Sequence, residues 1–352
     1  MPNIDKLVND LTLNEKVQLL SGFDAWHTNK IDRLNIPSIK MSDGPNGVRG
    51  DGNSGQPSAC FPSAISLGST WDMGLINKLG IELGSEAKLK DVDVLLGPTI
   101  NIHRHPLGGR RFESYSEDPY LTGRIAIEYV NGVQSKNVAS CLKHFVGNDT
   151  EFQRYAVSSN IDERTLREIY LLPFEMGIKE SNAKSVMSAY NKLNNIYCSS
   201  HKQLLIDILK KEWNFDGYVV SDWGAALENI ENANGGLDLE MPGPAKSWGT
   251  NLVQAIERGD VPVSEINDKV KRILNIAVFS KRFDDPDLKA EKSKDTSAQR
   301  MLLKKAAQDG MVLLKNEGLL PLNKNISSIG VIGPNAKKSQ IIGGGSAHLM
   351  AY

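Results

Sequence analysis

The chain has 352 residues, with 41 Lys+Arg against 42 Asp+Glu and a formal net charge of −1. That balance excludes a protein built to neutralise nucleic-acid phosphates, which needs an excess of Lys and Arg. With 40% hydrophobic and 24% charged residues the composition is globular, and the length suits two domains or one barrel-sized domain with an appendage.

The opening stretch, MPNIDKLVNDLTLNEKVQLL, reads as an amphipathic helix with charges throughout. It has no apolar core of a signal peptide, and no run of about 18 apolar residues follows, so a cytoplasmic protein without membrane contact is the expectation. Short apolar strands are predicted over Ser38–Ser42, Val92–Leu96, Val138–Leu142, Ser185–Tyr190, Tyr218–Ser221 and Leu237–Glu240. Helices are predicted between them, over Asp72–Lys90, Gly123–Lys136, Glu163–Ser181, Lys202–Glu212 and Ala225–Asn232. Near-continuous apolar strands separated by helices indicate parallel βαβ units. A dinucleotide-binding sheet would place GxGxxG after its first strand, whereas SDGPNGVRG stands there, so a barrel is favoured.

The run DDPDLKAEKSKDT is polar and carries a proline, which is the composition of a linker. A helix over Ser297–Gly310, the apolar run Met311–Lys315 and a strand-turn over Ile329–Pro334 follow it. The expected organisation is an α/β chain with a TIM-like (β/α)8 barrel over 1–283, a linker over 284–297, and the incomplete start of an α/β sandwich over 298–352. Cys60, Cys141 and Cys198 are far apart and form no CxxC pair, so neither a disulfide framework nor a cysteine-based metal site is expected.

A parallel barrel carries its chemistry at the C-terminal ends of its strands. The predicted strands end there in Ser42-Asp43, Lys143-His144, Tyr190-Asn191 and Ser221-Asp222-Trp223, and Asn101 closely follows the second. Asp222 is a candidate nucleophile or, more plainly, the N-cap of the next helix. Lys143 could hydrogen-bond a ligand or form a Schiff base, and as adjacent strand residues Lys143 and His144 should point in different directions. Arg110 or Arg111 could clamp a ligand oxygen. Arg154, Arg164 and Arg167 read as helix-surface ion pairs. Of five tryptophans only Trp223, beside Asp222, rises above a packing role, and Gly343–Ser346 reads as a mobile turn.

MSDGPNGVRG, GGRRFESYSEDPYLTG, CLKHFVGNDTEFQR, MSAYNKLNN, GYVVSDWGA, DLEMPGP and GMVLLKNEGLLPL occur in this order. Together they closely resemble glycoside hydrolase family 3, in particular its β-glucosidases of the fungal and yeast type. The resemblance implies a TIM-like barrel followed by an α/β sandwich. It implies that Asp222 is a nucleophile forming a covalent glycosyl-enzyme, and that Asp43, Arg110, Lys143, His144 and Tyr190 line a glucose subsite with Trp223 at its wall. Tyr190 would hold the nucleophile's orientation. The implied substrates are β-glucosides or cello-oligosaccharides, with no metal and no cofactor, and a homo-oligomer is left open. The acid/base Glu of such enzymes lies in the second domain, so it is expected beyond Tyr352. Glu113, Glu117, Glu151, Glu163 and Glu240 are not assigned to that role. The alternatives are a catalytically incomplete sugar-binding fragment and a Schiff-base lyase using Lys143.

Overall fold

The computed structural model describes residues 2–51, 55–341 and 344–352. Gly343, the first residue of the GGGS turn, lies outside them. Among the described residues there are eight strands: β1 (Met41–Asp43), β2 (Val94–Leu96), β3 (Ala139–Phe145), β4 (Ser158–Ser159), β5 (Ser185–Ser188), β6 (Lys192–Leu193), β7 (Ile196–Tyr197) and β8 (Tyr218–Ser221). The main sheet is parallel throughout and runs β1-β2-β3-β5-β8; β4, β6 and β7 form a small separate sheet. The main strands are apolar and buried on both faces, as parallel strands covered by crossover helices must be.

Single bridges carry the curl further. Leu239 pairs with Val220, Glu240 with Ser21, Gly22 with Thr28, and His27 with Lys40 beside β1. The predicted strand over Leu237–Glu240 contributes only these isolated pairs. The chain turns at once into Pro242 and Pro244, which have no N–H to extend a ladder.

The helices follow the local sequence chemistry. The opening stretch is two helices, Ile4–Asp10 and Leu13–Leu19, instead of one. Thr12 and Glu15 form a reciprocal capping box that starts the second. Asp72 caps Met73–Leu89. Pro119–Gln134 begins four residues ahead of the expected Gly123, because Asp118 caps it and Pro119 suits the first turn. These two helices pack closely at Gly80 and Gly132, where an added Cβ would strike the Tyr129 and Asn77 carbonyls respectively. Helix is also expected from Ala225, yet it starts at Ile230; residues 225–229 instead form a loop whose Ala226 and Asn229 carbonyls accept from Ser247 and Trp248. Among the described residues no helix is long and apolar enough to cross a membrane.

Charged groups pack at the end of the curled sheet opposite the Asp43 side. Arg282 donates from Nε to both Asp93 oxygens at 3.1 and 3.0 Å and also pairs with Asp91 at 3.0 Å. Asp93 is 1% exposed and also accepts the Lys40 N–H. The segment before the helix Ser297–Asp309 is stitched to the rest of the fold: the Lys292 N–H donates to the Leu89 carbonyl, and the Glu291 side chain is buried against Lys40 and Lys90.

Beyond the helix Ser297–Asp309 the expected strand-turn over Ile329–Pro334 does not form. Leu314 and Ile332 are 92% and 96% exposed. A strand is stabilised by a pairing partner and a covering layer, and this stretch meets neither here. The last residues return to the loop after β1, where Ala351 pairs with Ser58.

Asp93→Ala should lower the urea midpoint by the equivalent of about 3 kcal/mol or more, because it leaves Arg282 buried with less compensation. Arg164→Ala, which removes an exposed pair with Glu168, should leave the midpoint unchanged.

Candidate active site

Asp43, Arg110, Lys143, His144, Tyr190, Asp222 and Trp223 line one cleft of about 470 Å³. It opens at the C-terminal ends of the parallel strands: β1 ends at Asp43, β3 carries Lys143 and His144, and β8 leads directly into Asp222. Arg110 enters from the loop after β2, and Arg111 turns away to the Ile102 and His105 carbonyls.

Both Lys143 and His144 reach the cleft, contrary to strict strand alternation. β3 stays in register with β5 only to Leu142 and resumes at Phe145, so the pleat is interrupted across the pair. The peptide bond between them is cis.

Asp222 caps no helix, since the next one begins eight residues later. Its Oδ1 accepts the Trp223 N–H at 2.8 Å. Its Oδ2 is buried and has no hydrogen-bond partner, while His144 Nε2 lies 3.6 Å away. Burial pushes the Asp222 carboxyl above its ordinary value, opposed by Arg110, Lys143, the Trp223 N–H and Tyr190. Burial also raises Asp43, against Lys143, Arg49 and Arg110.

His144 is held in one tautomer. Asn101 Nδ2 donates to the His144 carbonyl, which fixes the amide, so Asn101 Oδ1 faces His144 Nδ1 at 3.0 Å and accepts its proton. Burial, then Arg110, Lys143 and Arg154, push His144 well below its usual value, leaving the ring neutral. Its bare Nε2 is an acceptor facing the cleft. The contact with Asp222 is therefore not an ion pair.

Cations and carboxyls interleave around the cavity. Lys143 Nζ lies 3.4 Å from Asp43 Oδ1, and Arg49 lies 3.6 Å from Asp43 Oδ2. Arg110 donates to Glu113 at 2.7 Å and to Ser346 Oγ at 2.8 Å, and it lies 3.9 Å from Glu151. Arg154 is not on a helix surface, as the sequence reading has it. It pairs with Glu151 at 2.8 Å and stands 4.2 Å over the Tyr190 ring. Arg164 and Arg167 do make exposed pairs, with Glu168 and Glu163. The Tyr190 hydroxyl donates to the Trp223 carbonyl at 3.0 Å, next to Asp222.

Trp223 and Trp26 form the aromatic wall, with centroids 5.5 Å apart, and the Trp223 indole N–H donates to the Ala25 carbonyl. Trp26, Arg49, Glu113, Glu151, Arg154 and Ser346 also line the cleft, though the sequence reading assigns none of them to it. Their local sequences carry charge and aromaticity, but only the fold brings segments 300 residues apart to one mouth. A polyhydroxylated ring suits this lining: fixed donors and acceptors around a tryptophan wall, with one carboxyl oxygen left for reaction.

Comparison with known proteins agrees with that lining. The profile of the glycosyl hydrolase family 3 N-terminal domain matches residues 4–276, and that of the C-terminal domain matches 311–352. A β-glucosidase of Rhizobium radiobacter is 50% identical over 99% of this chain and 43% of its own length. A probable β-glucosidase I of Neosartorya fischeri is 47% identical over 99% of this chain and 42% of its own. The chain thus spans well under half of these curated relatives. The crystal structure of Kluyveromyces marxianus β-glucosidase in complex with glucose superposes with a TM-score of 0.95 at 42% identity, covering 100% of this chain and 43% of that one. Thermotoga neapolitana β-glucosidase 3B in complex with glucose gives 0.93 at 36% identity, covering 99% and 52%. The chain belongs to glycosyl hydrolase family 3.

Proposed function

We propose that this chain carries the glycone site and nucleophile of a retaining β-glucosidase that removes terminal β-linked glucose from β-glucosides or cello-oligosaccharides. The observation that carries the reading is Asp222. One oxygen is anchored by a backbone N–H and the other is buried without a partner in a cleft lined by Arg110, Lys143, His144 and Tyr190. The similar enzymes that hold glucose support the substrate class.

In this mechanism Asp222 attacks the anomeric carbon, the glycosidic bond breaks, and water later hydrolyses the glycosyl-enzyme. Asp43 accepts from sugar hydroxyls. Lys143 donates to them, and the neutral His144 accepts at Nε2. Arg110 favours the Asp222 carboxylate, Tyr190 holds the backbone beside it, and Trp223 stacks on the ring. Lys143 serves as a hydroxyl ligand here, with Asp43 beside its amine, and not as a Schiff-base nucleophile.

The remaining cleft carboxyls of Glu113 and Glu151 are engaged by Arg110, Arg154 and Ser346. The proton donor is therefore placed outside this set, which favours the sugar-binding, slowly glycosylated fragment as the second reading. The curled sheet is read as part of a complete TIM-like (β/α)8 barrel, 284–297 as linker and 298–352 as the start of the sandwich. A catabolic role follows from the same reading.

Asp222→Ala should abolish covalent labelling by a fluorinated glucosyl inactivator, read by intact mass; persistent labelling would remove Asp222 from the nucleophile's place. Activated aryl glucosides should react faster than cellobiose by about 10²–10⁴-fold, the general-acid contribution. Comparable rates would locate an acid within this chain. Asp222 must be ionised to attack, and its pKa is raised from the ordinary 3.8. The rate of glycosylation should thus fall as pH drops through that raised value. Arg110→Met should move this acid limb to higher pH, since the lost cation favoured the carboxylate; a limb that stays or moves down contradicts the assignment.

A further inference from the structure

We propose that Glu291, in the linker, is a positioning residue for the Asp43–Arg49 arm of the cleft. Its side chain is 4% exposed although the segment around it is largely exposed. Oε1 accepts from Lys40 Nζ at 3.0 Å and from the Asp51 N–H at 2.7 Å. Oε2 accepts from the Gln56 N–H at 3.0 Å and from Lys90 Nζ at 3.5 Å. One carboxylate therefore binds both flanks of the loop that follows β1, the residue leading into β1, and the helix Met73–Leu89. Gly50 has φ +63°, and a Cβ there would collide with the Glu291 carboxylate, so the loop is shaped around this group.

The clasp connects to the cleft through few bonds. Asp51, held by Glu291 and paired with Lys40 at 2.7 Å, follows Gly50, whose N–H donates to Ser42 Oγ at 2.9 Å. Arg49 donates its N–H to the Asp43 carbonyl at 2.9 Å and sets its guanidinium 3.6 Å from the Asp43 carboxylate and over Trp26. Lys40 is one residue ahead of the strand that ends in Asp43. Glu291 touches none of the cleft residues and acts through Arg49 and Asp43.

The inference uses the glucose-site reading for its functional arm only. Removing Glu291 alone takes from the buried Lys90 the carboxylate within ion-pair distance and leaves it the Gln56 carbonyl and the more distant Glu86, so the fold-sparing variant is Glu291→Ala with Lys90→Met. In the whole chain, hydrogen exchange at the Arg49 and Gly50 amides should speed up by at least about tenfold in that double variant, with the thermal midpoint retained. Unchanged exchange at those two amides overturns the proposal.

Glucose titration followed by calorimetry should show affinity weakened about tenfold or more, as sub-ångström misplacement of polar contacts does. In an Arg49→Met background the same pair of substitutions should cost little further affinity, because the effect runs through Arg49. Equal losses in both backgrounds overturn that route. A wild-type chain with no affinity for glucose would count against the proposed function, and the exchange result would still decide the clasp.

Discussion

The cleft depends on a buried carboxylate, half of which goes without protein hydrogen bonds. Burial raises the Asp222 carboxyl above its ordinary value, because desolvation penalises the ionised form. The protein offsets this with charge at short range and not with direct bonds to Oδ2. Arg110 and Lys143 supply positive potential, and the Trp223 N–H anchors Oδ1. Direct donors to Oδ2 would tie up the atom that the proposed mechanism uses for attack. The whole mouth is built on this compromise, with Arg49, Arg110, Lys143 and Arg154 interleaved among Asp43, Glu113, Glu151 and Asp222.

Each of those cations is held in place by something other than Asp222. Glu113 is 1% exposed and fixes Arg110 from behind, with Ser346 bonded to both. Glu151 and Tyr190 hold Arg154 between a carboxylate and a ring face. His144 avoids adding a charge altogether, since Asn101 fixes its tautomer and burial keeps it neutral. Preorganised polar groups of this kind cost nothing to reorganise when charge develops on a bound ligand.

Much of this was legible in the sequence where a motif and a strand end coincide. The strand Tyr218–Ser221 and the residues after it were readable from GYVVSDW, because an apolar run stops abruptly at a carboxylate. The helix over Asp72–Lys90 was readable from its cap and period. Arg154 and Ser346 were not, because their neighbours in sequence, a polar loop and a glycine run, have many ordinary uses. Their place follows from long-range packing, as does the paired orientation of Lys143 and His144 at a break in register. Ile329–Pro334 failed for a different reason: apolar alternation makes a strand only beside another strand.

The long-range ion pairs at the end of the sheet opposite Asp43 join residues that are translated far apart in time. Asp93 meets Arg282 across 189 residues, and Lys40 meets Glu291 across 251. At about 5–20 residues per second, a ribosome would deliver Glu291 roughly 10–50 s after Lys40. Until then Lys40 has only Asp51 to pair with, and Lys90 lacks the Glu291 carboxylate. Glu291 is thus a late latch: it joins the start of β1 to the end of the Met73–Leu89 helix only after every strand of the main sheet has been translated.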